Sequence, residues 1–148
     1  MADRVFDSIE DLIKFVNNDI ENVLLTKGAE KIKKIEQDVI EDKVYGVYTP
    51  KFYERRFDDK GLHDVNNMDS YLIKEGDETV IVVENDTKVS PNSYDSRRGD
   101  YLDEIIENGL GGDRPYNRAR RFTEETQRII NNENIIQNVI KENLDYME

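Results

Sequence analysis

Thr79-Val80-Ile81-Val82-Val83 is β-branched at all five positions, the clearest strand signal in the chain. Such side chains are stiff at χ1 and fit a pleated surface better than a helix. Just before it, Glu75-Gly76-Asp77 supplies a turn, and Ser70 to Lys74 reads as a shorter, mixed strand. Two runs flanking a glycine-containing turn predict an antiparallel hairpin, and the unbroken run predicts a central strand covered on at least one face.

The remaining periodic segments are helical. Ile9, Leu12, Ile13, Val16, Ile20, Val23 and Leu24 recur at steps of three and four, which places them on one stripe of a helix over residues 8–26. Ser8 is positioned to cap it, and Glu10 and Asp11 suit the positive end of its dipole. Gly28 is expected to interrupt or kink this element, and Ile32, Ile35, Val39 and Ile40 carry a second pattern that ends near Lys43. The opening is therefore two helices or one long bent helix; the apolar period is too short-lived for a coiled coil. Tyr101 to Asn108 reads as a short amphipathic helix presenting Leu102, Ile105 and Ile106, closed by Gly109. Phe122 to Asp145 reads as a last helix, with the Asn131–Asn134 cluster a place for it to bend or end.

Between these lie irregular stretches. Val44 to Met68 is rich in Tyr, Phe and Arg and is broken by Gly46, Pro50 and Gly61, so it reads as an extended hook. Residues 86–99 are a polar loop, and Gly109 to Pro115 is another break. The chain reads as a single α+β domain over 1–148, an N-terminal helix or helix pair packed on a small antiparallel sheet with a C-terminal helix. Its parts are a helical opening at 1–43, the hook at 44–68, a sheet and helix core at 69–130 and a C-terminal helical extension at 131–148.

Charge narrows the partners. With 33 acidic against 21 basic residues the formal charge is −12, which disfavours sequence-independent phosphate binding and docking on anionic membranes. Zero cysteines exclude a disulfide scaffold, a thiolate metal site and a cysteine nucleophile. The opening residues show no basic-then-apolar secretory pattern, and no run approaches the ~20 apolar residues of a bilayer span. The expected setting is the cytoplasm, or a particle assembled there.

Reactive constellations are thin. His63 is the single histidine and lies in the polar turn Gly61-Leu62-His63-Asp64, where a solvated side chain is expected. One histidine excludes two-His metal patterns. Asp95, Asp100 and Asp103 lack the spacing of a calcium loop. Gly109, Gly111 and Gly112 follow a helix and precede no Lys-Ser/Thr, so they read as a helix cap and connection rather than a phosphate loop. Arg98-Gly99-Asp100 and the Asn85-Asp86-Thr87 sequon are three-residue matches of little weight. No catalytic residue, metal or cofactor is expected.

Two basic clusters stand out instead. Arg55 and Arg56 sit among Phe52, Tyr53 and Phe57, close to Tyr48; Arg114, Arg118, Arg120 and Arg121 surround Tyr116. Arginine beside aromatics can stack on nucleic acid, but it is also the composition enriched at protein interfaces. The acidic total favours protein. The candidate subunit-interface set is Tyr48, Phe52, Tyr53, Arg55, Arg56, Phe57, Arg114, Tyr116, Arg120 and Arg121.

Tyr48-Thr49-Pro50-Lys51-Phe52-Tyr53-Glu54-Arg55-Arg56, followed by Gly61-Leu62, the Asp/Asn-rich turn to Met68, and Asn85-Asp86-Thr87 at the end of the hairpin, resembles minor structural proteins of phages and prophages of low-GC Gram-positive bacteria. Leu102 to Gly109 and the Arg114-Pro115 entry to the last helix continue the pattern, although YNRARR separates that entry from Phe122. Over residues 44–130 the layout is similar to the head–tail joining or tail-completion family of long-tailed phages. The resemblance implies a virion structural protein, a ring subunit between capsid and tail. Its partners would be copies of itself and other neck, connector or tail-tube proteins, with DNA passing without specific binding. The competing reading of the charge is a small phage-encoded adaptor or inhibitor that binds a host protein, as a DNA mimic.

Overall fold

The computed structural model describes residues 5–46, 61–88, 101–109 and 119–144. Helix α1 (Ile9–Val23) begins at Ser8, whose Oγ accepts the Asp11 N–H at 3.2 Å, with Glu10 and Asp11 in its first turn. It does not stop at Gly28. A π turn (Leu24–Gly28) leads into α2 (Ala29–Ile40), and a second π turn (Glu41–Tyr45) extends the helical run to Tyr45. Gly28, expected to interrupt or kink the helix, has ordinary right-handed geometry, φ −64° and ψ −51°.

The residue spacing accounts for the wide turns. Ile20, Leu24, Gly28, Ile32, Glu36, Ile40 and Val44 fall at every fourth position, and all but the half-buried Ile20 are buried. Six steps of four outrun a 3.6-residue turn by about 2.4 residues. Each π turn absorbs roughly one of them, because its hydrogen bonds span an extra residue. The stripe therefore stays on one side of a single long helix.

The hairpin forms as β1 (Met68–Glu75) and β2 (Glu78–Asn85), antiparallel, in register from Met68↔Asn85 to Glu75↔Glu78. Gly76 has φ +59° at the first position of the two-residue turn, where a side chain would be strained. Among the described residues the sheet has two strands, so β2 is an edge and not the expected central strand. The β-branched run earns its place on one face only. Ile81 and Val83 pack toward the helices, while Tyr71 and Ile73 on the other face are exposed.

Helix α3 (Leu102–Asn108) buries Ile106 and closes at Gly109, φ +75°. The expected last helix is two: α4 (Phe122–Asn132) and α5 (Ile135–Asn143) are separated at Glu133-Asn134, where Asn134 is left-handed at φ 52°. Asparagine tolerates that geometry better than most residues. The architecture is α+β, with a long N-terminal helix, a two-stranded antiparallel sheet and C-terminal helices.

Two clusters form the core. The first gathers Val39, Ile40, Val44, Leu62, Met68, Ile106 and Phe122 around the Tyr45 end of the long helix. The second gathers Ile32, Ile130, Ile135 and Val139 at its middle.

Candidate functional site

The first cluster is roofed by a polar hub built on Asn85. Its Nδ2 donates to the Glu36 carboxylate at 3.1 Å and to the Leu62 carbonyl at 2.8 Å, and its Oδ1 accepts the Thr87 N–H at 3.1 Å. The last bond is an Asx turn, which Asn forms readily. Thr87, 1% exposed, reaches the Gly61 carbonyl with its hydroxyl at 3.4 Å, and Asn67 donates to the same carbonyl at 3.2 Å. Asp86 N–H closes the set on the Asn67 carbonyl at 2.7 Å. The Gly61-Leu62 motif, the Asn-rich turn and Asn85-Asp86-Thr87, distant in sequence, thus form one structure. As a buried side chain with its amide fully engaged, Asn85 is no glycosylation acceptor.

Glu36 is the residue the sequence reading missed. It sits on the four-residue stripe between Ile32 and Ile40 and is 4% exposed. Burial pushes its carboxyl up to about 7; the Asn85 hydrogen bond opposes this, and the Asp103 and Glu107 charges add to it. Asp103 is raised too, chiefly by burial, and its Oδ1 has no hydrogen-bond partner among the described residues. His63, expected in solvent, is 6% exposed: its ring tilts against Tyr45 at 5.2 Å, its N–H donates to Tyr45 Oη at 3.3 Å, and its Nδ1 lies 3.2 Å from Glu41 Oε1. Among the described residues no group of three or more His, Cys, Asp and Glu is placed to hold a metal ion. No described helix is long and apolar enough to cross a membrane.

Of the ten interface candidates, Tyr48, Phe52, Tyr53, Arg55, Arg56, Phe57, Arg114 and Tyr116 lie outside the described residues. Arg120 is half-buried and its N–H donates to the Ile106 carbonyl at 2.9 Å; Arg121 is exposed and pairs with Glu124 at 3.2 Å. An exposed pair of this kind contributes little to stability. Both precede α4, whose first N–H groups, Thr123 and Glu124, are capped from α3 by the Glu107 carboxylate at 3.0 and 3.2 Å.

What the structure does fix is where these segments start and finish. Gly46 follows Tyr45, and Gly61 adjoins Leu62, both at the first cluster. Lys88 and Tyr101, which flank residues 89–100, pair across an isolated bridge beside Thr87. Gly109 and Ala119, which flank residues 110–118, adjoin α3 and Arg120. The residues that flank all three segments thus lie at the Tyr45 end of the long helix.

The other end is different. Helix α1 has no buried residue, although its apolar stripe is well formed. Ile9 is 72% exposed, Ile13 52% and Leu12 42%. Asp7, Glu10, Asp11 and Asp19 accompany this stripe with Lys14 as the lone base over residues 5–20, and Glu21 is tied to Lys74 of β1. Phe6 folds back on Phe15, ring centres 5.2 Å apart. This uncovered stripe was readable as helical but not as exposed, because periodicity marks an apolar face without saying what covers it.

A family model described as YomN matches residues 8–146. No curated protein and no solved structure matches the chain. The match takes in every described helix and both strands, so the chain belongs to the YomN family, a name carried by phage-derived, SPbeta-type prophage proteins.

Proposed function

We propose that the protein is a non-enzymatic structural subunit of a long-tailed phage or prophage virion, acting in a ring at the neck between capsid and tail. The YomN match supports the phage association. The observation that carries the structural role is the two-ended distribution of surface: an acidic, uncovered apolar helix at one end and the roots of the basic, aromatic segments at the other. Surfaces of opposite character on one subunit join head to tail, and a head-to-tail contact that closes makes a ring. The acidic total suits a wall along which DNA slides, since like charges repel.

The reading is tested by inducing a prophage that lacks the gene and imaging the particles. Filled heads and finished tails that fail to join are the expected result, with the wild-type protein present in purified virions by mass spectrometry. Intact infectious particles without the protein would overturn it. The rival reading, an acidic adaptor or DNA mimic, asks for a continuous carboxylate face. The Ile9, Leu12 and Ile13 stripe runs through the acidic surface of α1 and fits an apolar contact better.

A further inference from the structure

From the exposed stripe of α1 we infer that this helix is the docking surface for a second copy of the chain, whose segment Lys51 to Phe57 lies across Ile9, Leu12 and Ile13. The inference deepens the ring reading above and rests on it. Isolated apolar side chains at a surface are ordinary, but here they form one stripe along a capped helix.

Charge and composition select the occupant. The stripe is accompanied by Asp7, Glu10, Asp11 and Asp19. A second α1 laid against it would bring like charges together, so a symmetric helix pair is disfavoured. Lys51-Phe52-Tyr53-Glu54-Arg55-Arg56-Phe57 offers the complement: three aromatic rings to cover isoleucine and leucine, and three cations against one acid. Aromatic and arginine side chains are also the residues that carry most binding energy at interfaces.

Reach decides that the segment comes from another copy. The described residues on either side of 47–60 meet near Tyr45, since the Val44 and Leu62 side chains share one core and the His63 backbone N–H donates to Tyr45 Oη at 3.3 Å. Fourteen residues running out and back extend at most about 25 Å from that anchor. Ile13 lies thirty-two residues along the helical run from Tyr45, about 48 Å at 1.5 Å per residue. The segment cannot cover its own α1. In a ring, each subunit's basic segment grips the next subunit's acidic helix, and the same contact repeats around the circle.

The chain has no cysteine, so single cysteines report contacts cleanly. Full-length Ile13→Cys and Phe52→Cys proteins, mixed and treated with a short bismaleimide, are expected to give a two-chain product that neither gives alone. Ile9→Asp combined with Ile13→Asp is expected to keep the wild-type circular dichroism and melting curve and to weaken self-association tenfold to a hundredfold, roughly what loss of an interface anchor costs. Arg55→Glu with Arg56→Glu is expected to do the same, and adding Asp7→Lys and Glu10→Lys to that protein to restore association. Ile13→Cys linking to itself would overturn the proposed occupant. Rings that persist with Ile9→Asp and Ile13→Asp would overturn the docking surface and leave the ring reading standing. A wild-type chain that neither self-associates nor cross-links would end both.

Discussion

At the Tyr45 end of the long helix, Ile40 and Phe122 are wholly buried and Asn85 spends its amide on three partners from three parts of the chain. At the Ser8 end, the same kind of residue at the same spacing, Ile9 and Ile13, faces solvent. The sequence pattern of the two halves is alike; their surroundings are not. The stripe from Ile20 to Val44 is covered because the hairpin, α3, α4 and α5 all return to it, and nothing among the described residues returns to Ile9. An amphipathic helix reports that it has an apolar face. Only the topology reports whether the chain itself fills it.

The contrast can be broken by substitution at each end. Phe122→Ala empties the centre of the first cluster and should cost about 3–5 kcal/mol, enough to unfold a marginal domain, read by urea denaturation. Ile9→Ser at the other end should change stability by less than about 0.5 kcal/mol, as exposed substitutions do. Equal costs at the two sites would mean that α1 is buried in the free subunit.

Glu36 sharpens the comparison through pH. Its folded-state carboxyl titrates near 7 against an ordinary value of 4.5, so between those values the folded protein holds a proton that the unfolded chain releases. Stability should therefore be greatest below about pH 4.5 as far as this group is concerned, and fall as pH rises to about 7. The shift corresponds to about 3 kcal/mol of stability withheld at neutral pH. Glu36→Gln keeps an acceptor for the Asn85 amide and carries no charge. It should raise the melting temperature at pH 8 and flatten its dependence between pH 5 and 8. A variant with the wild-type pH profile would show that another group governs the window. A local effect belongs to α1 again: Ser8→Ala removes the cap on Asp11 and should cost about 1 kcal/mol, seen as fraying of the first turn in hydrogen exchange.

Much of the fold was legible. Thr79 to Val83 with Gly76 specified the hairpin, and the run Ile9 to Ile40 specified a helical opening, because strand and helix periods differ. The Asn131–Asn134 cluster marked the break between α4 and α5, where Asn134 takes the left-handed geometry. Gly28 marked a real interruption, the π turn Leu24–Gly28 between α1 and α2, but not an end, because the four-residue stripe on either side gains from continuing. The polar hub was only half legible. Asn85-Asp86-Thr87 and Gly61-Leu62 stood out as motifs, yet nothing in their spacing tied them to Glu36, forty-nine residues before Asn85. His63 failed as a prediction for a related reason: a polar local sequence says nothing of the Tyr45 ring and the α2 terminus that fold over it. Eight of the ten interface candidates fall outside the described residues, and only the residues that flank their segments, Gly46, Gly61, Gly109 and Ala119, are described.

The central claim is that this acidic subunit completes its surface with other copies of itself. Native mass spectrometry of the full-length protein, at neutral pH and low salt, measures that directly. A single closed oligomer of fixed subunit number, dissociating as salt is raised, is the predicted spectrum. A monomer that persists as concentration rises would contradict it.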